Sequence, residues 1–98
     1  MADVVHQLLA TGAALDRLAA RAISIGEAGQ VLRNRHAIVK NLHGHRDRPQ
    51  RETRRLLIGA TDGGRVFTLV IEATIDPTTW LLITGWEATA AERRLIQR

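Results

Sequence analysis

The chain has 98 residues and a formal net charge of +4, with 45% hydrophobic and 24% charged side chains. These are the proportions of a globular domain, and the length suits one domain, 1–98, rather than two. There is no cysteine, which excludes disulfides, thiol nucleophiles and cysteine-based zinc sites, and no apolar run approaches the span of a bilayer.

The first ten residues carry Asp3 and neither Lys nor Arg, unlike a secretory leader, so a soluble cytoplasmic protein is expected. Val4, Leu8, Thr11, Leu15, Leu18 and Ala22 recur at spacings of three and four, which predicts an amphipathic helix over 3–22, with Gly12 as a weak point. Ser24 and Glu27 stand three apart and predict a capped second helix to about Leu32, with Ile25, Ala28, Val31 and Leu32 on its apolar face. His36 to Leu42 is a short β-branched run and predicts a strand; His43 to Gln50, with Gly44 and Pro49 among charges, predicts a loop.

Arg54 to Ala60 predicts a second strand, Thr61-Asp62-Gly63-Gly64 a hairpin turn, and Arg65 to Ala73 the return strand. There Phe67, Leu69 and Ile71 alternate with Val66, Thr68, Val70 and Glu72. Asp76-Pro77-Thr78 turns the chain into a last strand over 79–86, which would put Trp80, Leu82, Thr84 and Trp86 on one face. Thr89 and Glu92 form another capping signature and start a C-terminal helix. The order is ααββββα. It implies an α+β domain: two N-terminal helices, a four-stranded, mainly antiparallel meander and a C-terminal helix, with helices packed on one face.

Charge is concentrated. Between Arg33 and Arg55 there are eight basic and two acidic residues, a balance of +6, whereas the rest of the chain is at −2. Thirteen of the 14 basic residues are Arg, whose planar fork suits phosphate, so RNA is the expected partner of this stretch. An acidic protein satisfies the same electrostatics, and a solvated loop is the plainer alternative. A third expectation is a homodimer held by the N-terminal helix, where Val4, Val5, Leu8 and Leu9 give apolar surface on more than one side.

The C-terminal half reads Thr53-Arg54-Arg55-Leu56-Leu57-Ile58-Gly59, then Asp62-Gly63-Gly64-Arg65 and a hydrophobic strand, then Ile83-Thr84-Gly85-Trp86-Glu87-Ala88-Thr89-Ala90-Ala91-Glu92-Arg93-Arg94. This resembles the BrnT family of type II toxin–antitoxin systems, which have a RelE-like ribonuclease fold. Arg54, Ile58, Gly59, Gly64, Arg65, Ile83, Ala88, Thr89, Glu92 and Arg93 carry the likeness, and Ala14 to Ser24 is similar to the family's helix and Gly-Ile-Ser boundary. The resemblance covers about residues 14–96. It departs at Trp86, which replaces a family Arg, at Ile96, where the family has Tyr, and at the N-terminus, where a helix stands in place of an expected short strand.

The resemblance implies a RelE-like fold and a metal-independent endoribonuclease that inhibits translation, with no cofactor or metal. Its partner would be an antitoxin, of ribbon-helix-helix type, that covers the basic groove. The alternative is a domain that has lost catalysis and binds RNA or a protein. Cleavage by the 2′-hydroxyl needs a base, an acid and charge stabilisation at phosphorus. Arg54, matching the family motif, is the candidate phosphate clamp, against a surface Arg lying over the sheet. Glu52 could orient Arg54 or act as base, against simple ion pairing. Arg65 also matches the family, against a solvated Arg after a turn. His43 and His45 are candidate acid and base, with a metal or a bare loop surface as alternatives. Lys40, Arg46, Arg48, Arg51 and Arg55 would track the RNA backbone, with His36 extending the track from Lys40. Trp86 would stack a base, against core packing. Glu92 reads as a cap.

Overall fold

The computed structural model describes residues 3–40 and 53–96. It is an α+β fold with a five-stranded mixed sheet: β1 (Gln7–Ala10), α1 (Gly12–Ala19), α2 (Ile25–Arg33), β2 (His36–Val39), β3 (Arg54–Ala60), β4 (Val66–Ala73), β5 (Thr79–Glu87) and α3 (Ala90–Arg93). The sheet order is β1-β5-β4-β3-β2. The antiparallel meander from β2 to β5 is as the sequence predicts. The fifth strand is not.

The helix expected over 3–22 is a strand followed by a shorter helix. β1 pairs parallel with β5, from Gln7 opposite Thr79 to Ala10 opposite Leu82. The Thr11 hydroxyl accepts from the Ala14 backbone N–H, 3.2 Å, and caps α1. The helical stripe was incidental: Leu9 and Leu15 are exposed, whereas Ala14 and Leu18 face the core. Pairing with a sheet edge overrides a weak local helix preference. A short N-terminal strand therefore stands where the sequence predicts a helix.

At the end of α1, the Ile23 N–H donates to the Leu18 carbonyl (2.9 Å) and the Ala22 N–H to that of Ala19 (3.0 Å), closing the helix as a Schellman motif. Ala22 occupies the left-handed position, φ 57°, that glycine normally fills. α2 starts as predicted, with Ser24 and Glu27 capping each other's backbone. Its face uses Ala28 and Val31, with Leu32 half-buried; Ile25 is exposed.

The Thr61–Gly64 turn joins β3 to β4. The Gly64 N–H donates to the Thr61 carbonyl, 3.0 Å, and among the described glycines Gly64 alone has a positive φ, +88°. Positive φ thus falls at Gly64 rather than within Asp-Gly: a turn closed by a glycine bulge.

Both faces of the sheet are covered: α1 and α2 lie on one, and residues flanking α3 lie on the other. Leu18, Ile23, Ala28 and Val31 from α1, α2 and their connection pack on Leu57, Phe67, Leu69, Ile71, Trp80 and Leu82. On the other face Leu56, Ile58, Val70 and Ala88 form a second cluster, partly covered by Trp86, Leu95 and Ile96. The sheet register changes between Val70 and Ile71, with Val70 opposite Thr84 and Ile71 opposite Leu82. Ile83 is the extra residue, a β-bulge that reverses the facing of the rest of β5. Trp80 and Leu82 therefore sit in the first cluster and Trp86 in the second, which corrects the expectation of one shared face. Arg17 of α1 donates to the Ile83 carbonyl, 3.4 Å.

Gly59 shows how tightly α2 meets the sheet. A Cβ there would lie 2.9 Å from both Val31 Cγ1 and His36 Cβ and 3.1 Å from the Arg35 carbonyl oxygen. No helix among the described residues is long and apolar enough to cross a membrane.

Two substitutions test these local constraints by thermal denaturation. Ala22→Gly relieves the left-handed strain and raises stability by about 0.5–1 kcal/mol, net of the extra chain entropy of glycine. Gly59→Ala forces α2 off the sheet and lowers stability by about 1–3 kcal/mol.

Candidate nucleic-acid interface

The basic stretch divides between the two ends of the sheet. Arg33 and Arg35 precede β2 at the end that holds the β3–β4 hairpin, since His36 pairs with Gly59. Lys40 follows β2, and Arg54 and Arg55 open β3, at the opposite end, where Val39 pairs with Leu56. The strand between Arg54 and Ala60 spans about 20 Å. Lys40 and Thr53, the described residues on either side of 41–52, both lie at this end. His43, His45, Arg46, Arg48, Arg51 and Glu52 lie outside the described residues.

Arg54 and Arg55 point to opposite faces. Arg54 shares the face of Leu56 and Ile58, where its Nε donates to Oε1 of its cross-strand partner Glu72 at 3.2 Å. No other hydrogen bond joins the guanidinium to a described residue. Glu72 thus fixes the head group through one nitrogen. The two Nη donors are those a phosphate would use. Arg55 Nε donates to Asp3 at 2.8 Å and its Nη1 to the Arg54 carbonyl at 2.8 Å. Arg55 therefore ties the N-terminal segment to the start of β3. Lys40 is exposed beyond the strand end. His36 is four residues away at the other end of β2, its Nδ1 donating to the Asn34 carbonyl at 2.9 Å, so it does not continue a track from Lys40.

Arg65, with its side chain 37% exposed, is engaged in several contacts and stands far from Arg54 along the strands. Its Nη1 donates to the Ala22 carbonyl (3.0 Å) and to Glu27 (3.1 Å), and its Nη2 to Glu87 (3.4 Å). The guanidinium lies 4.5 Å from the centre of the Phe67 ring. One side chain thus ties the α1–α2 corner, α2, β4 and β5 together. This network engages both Nη1 and Nη2 of the guanidinium. The distance along β3 and β4 keeps Arg65 out of any site containing Arg54.

Trp86 is likewise engaged. Its indole N–H donates to Glu92 Oε1 at 3.1 Å, and its half-buried ring packs in the second cluster. Glu92 is the cap that the sequence predicts: Thr89 Oγ1 accepts from its N–H, and its carboxylate accepts from the Thr89 N–H at 2.8 Å. Burial pushes the Glu92 carboxyl up. Hydrogen bonding from the Thr89 backbone, the Trp86 indole and the Thr68 and Thr89 hydroxyls outweighs that and holds it below 4.5. The Thr68 hydroxyl is fully buried and closes no hydrogen bond of its own in the structure, so its pull on Glu92 is at longer range. Glu27 is also lowered, first by the Ser24 N–H and then, against burial, by Arg65; Asp76 is lowered by the Thr78 N–H.

Sequence reasoning missed Glu72 as the partner of Arg54. The signal was available: Ala60 and Val66 flank the turn, and counting six residues outward along each strand puts Arg54 opposite Glu72. The Glu27 and Glu87 contacts to Arg65 carry no such signal, because α2 and β5 reach Arg65 only through tertiary packing. Among the described residues no three His, Asp or Glu side chains come together as a metal site. No family model matches the chain, and neither a curated protein nor a solved structure matches it.

The depressed carboxylates set a pH dependence. A carboxyl whose pKa is lower folded than unfolded contributes stability above its unfolded value and loses it as pH falls through its folded value. The urea midpoint is expected to be level above about pH 5 and to fall as the pH drops below 4.5, the ordinary value for Glu92. Glu92→Gln should make that decline shallower.

Proposed function

We propose that this domain binds RNA at the end of the sheet where β2 leaves and β3 begins, with Arg54 as the central phosphate contact. The observation that supports this most is the Arg54–Glu72 pair. A half-buried guanidinium is held by a single carboxylate through Nε, at the strand end from which the chain enters its Arg-rich stretch. Lys40 adds cationic charge at the same end, and the sequence that follows it carries Arg46, Arg48 and Arg51. Counterion release from the RNA then drives association.

A second reading, metal-independent endoribonuclease action of the BrnT toxin kind, has one specific support. β1 supplies the N-terminal strand that the resemblance calls for and the sequence reading lacked. On this reading Arg54 stabilises the phosphorane, and the proton transfers fall to His43, His45 or Glu52, which adjoin the Arg54 end in the chain. A ribbon-helix-helix antitoxin would neutralise the protein by laying an acidic segment over the same cations. The binding reading takes precedence because Arg65, the other candidate catalytic residue in a described position, lies at the opposite end of the strands from Arg54 and is held by Glu27 and Glu87.

The test is fluorescence anisotropy with a labelled single-stranded RNA, followed by gel analysis of the same mixtures in EDTA. Wild type is expected to bind with a strongly salt-dependent affinity. Arg54→Gln should weaken binding roughly tenfold, the scale of a lost charge-assisted contact. Glu72→Gln should tighten binding, because it removes the competing anion. Equal affinities for wild type and Arg54→Gln would remove Arg54 from the interface, and no binding at low salt would end the RNA reading. Intact RNA with normal binding would leave the binding domain and end ribosome-independent cleavage.

A further inference from the structure

The two edges of the sheet are protected differently. β2, at one edge, is bracketed by Arg35 and Lys40, and cations flanking an edge strand discourage a second strand from joining it. β1, at the other edge, reads Gln-Leu-Leu-Ala and has no charge, no proline and no bulge. Among the described residues it pairs with β5 alone. Leu9 is 46% exposed and Val4 47% exposed beside it.

The hydrogen-bond phase of β1 fixes what it offers. The Thr78 carbonyl accepts from the His6 N–H at 2.9 Å, just before the strand, and from the Gln7 N–H at 3.2 Å, the bond that matches the parallel register of Gln7 with Thr79. In a parallel pair alternate residues of one strand bond the neighbour, so Gln7 and Leu9 face β5. The backbone groups of Leu8 and Ala10 therefore point out of the sheet. Two such residues, two apart, are self-complementary about a two-fold axis. Leu8 of one copy meets Ala10 of the other in both directions, which closes four hydrogen bonds and sets Leu9 opposite Leu9 on the axis. No other register uses both outward residues.

We propose that a second copy of this chain is the occupant of this edge, joined antiparallel at β1 into a continuous ten-stranded sheet. Charge permits it despite the net +4 of each chain. The register sets Gln7 opposite Thr11 and His6 opposite Gly12, and no formally charged residue faces another. Asp3, the nearest acid, is paired with Arg55 of its own chain. The small contact makes the dimer weak and concentration-dependent. The proposal is independent of RNA binding, because the β1 edge lies across the sheet from β2.

The chain has no cysteine, so an introduced one reports cleanly. Residues opposed on the axis form a non-hydrogen-bonded pair with Cα atoms about 4.5 Å apart, within disulfide range. Leu9→Cys is expected to cross-link to itself under mild oxidation several-fold faster than Ile25→Cys, which places a cysteine at a similarly exposed position on α2. Sedimentation of the wild type should show a concentration-dependent dimer that Leu9→Lys abolishes while its thermal midpoint stays near that of the wild type. Equal cross-linking rates for the two cysteine variants, a wild type that stays monomeric at its highest soluble concentration, or a dimer that survives Leu9→Lys would each overturn the proposal.

Discussion

The structure depends on burial of both faces of β3 and β4. Leu57, Phe67, Leu69 and Ile71 pack under α1 and α2, while Leu56, Ile58 and Val70 pack on the opposite side with the C-terminal segment. A two-sided strand has no solvent-facing row in which to place polar residues, so the middle of β3 and β4 is apolar but for Gly59 and the buried Thr68. Charge is pushed to the strand ends. Arg54 and Glu72 stand at one end of the β3–β4 pair, and Arg65 with its carboxylates stands at the other. Each large side chain fully buried in this way contributes about 1.5–3 kcal/mol, which in a domain of this size outweighs what exposed ion pairs contribute.

The two ends use arginine differently. At the hairpin end the Arg65 guanidinium is spent on a backbone carbonyl, two carboxylates and an aromatic face. It braces the corner where Ala22 takes a left-handed conformation, so strain and its support sit side by side. At the other end Arg54 is oriented by Glu72 through one nitrogen and keeps donors for a further acceptor. An arginine so held loses little freedom on meeting a phosphate, and preorganisation of this kind favours affinity. The RNA reading rests on this contrast rather than on the net charge.

Much of the fold was legible in the sequence. The capping signatures at Ser24–Glu27 and Thr89–Glu92, the Thr61–Gly64 turn and the alternation through Phe67, Leu69 and Ile71 are local, and local chemistry decided them. β1 was not legible, because Leu8, Leu15 and Leu18 fit a helical period and only the β5 edge selects the strand. The bulge at Ile83 was hidden for a similar reason. Nothing in Leu82-Ile83-Thr84 marks an extra residue, yet it decides which face Trp86 occupies. Of the candidate site, Arg54 pairs with Glu72, Arg55 with Asp3, Arg65 with Glu27 and Glu87, and Trp86 with Glu92. A sequence shows that an arginine is present but not how many carboxylates surround it.

If RNA binds as proposed, it meets the end of the sheet at Lys40 and Arg54 and leaves the end at Arg65 untouched. Amide chemical-shift mapping on titration with a short single-stranded RNA tests this directly. The account predicts that the shifts concentrate at Val39, Lys40, Thr53 to Arg55 and Glu72, with Ala22, Gly64 and Arg65 unmoved. Shifts centred on the hairpin around Gly64 and Arg65, with Arg54 and Glu72 silent, would contradict it.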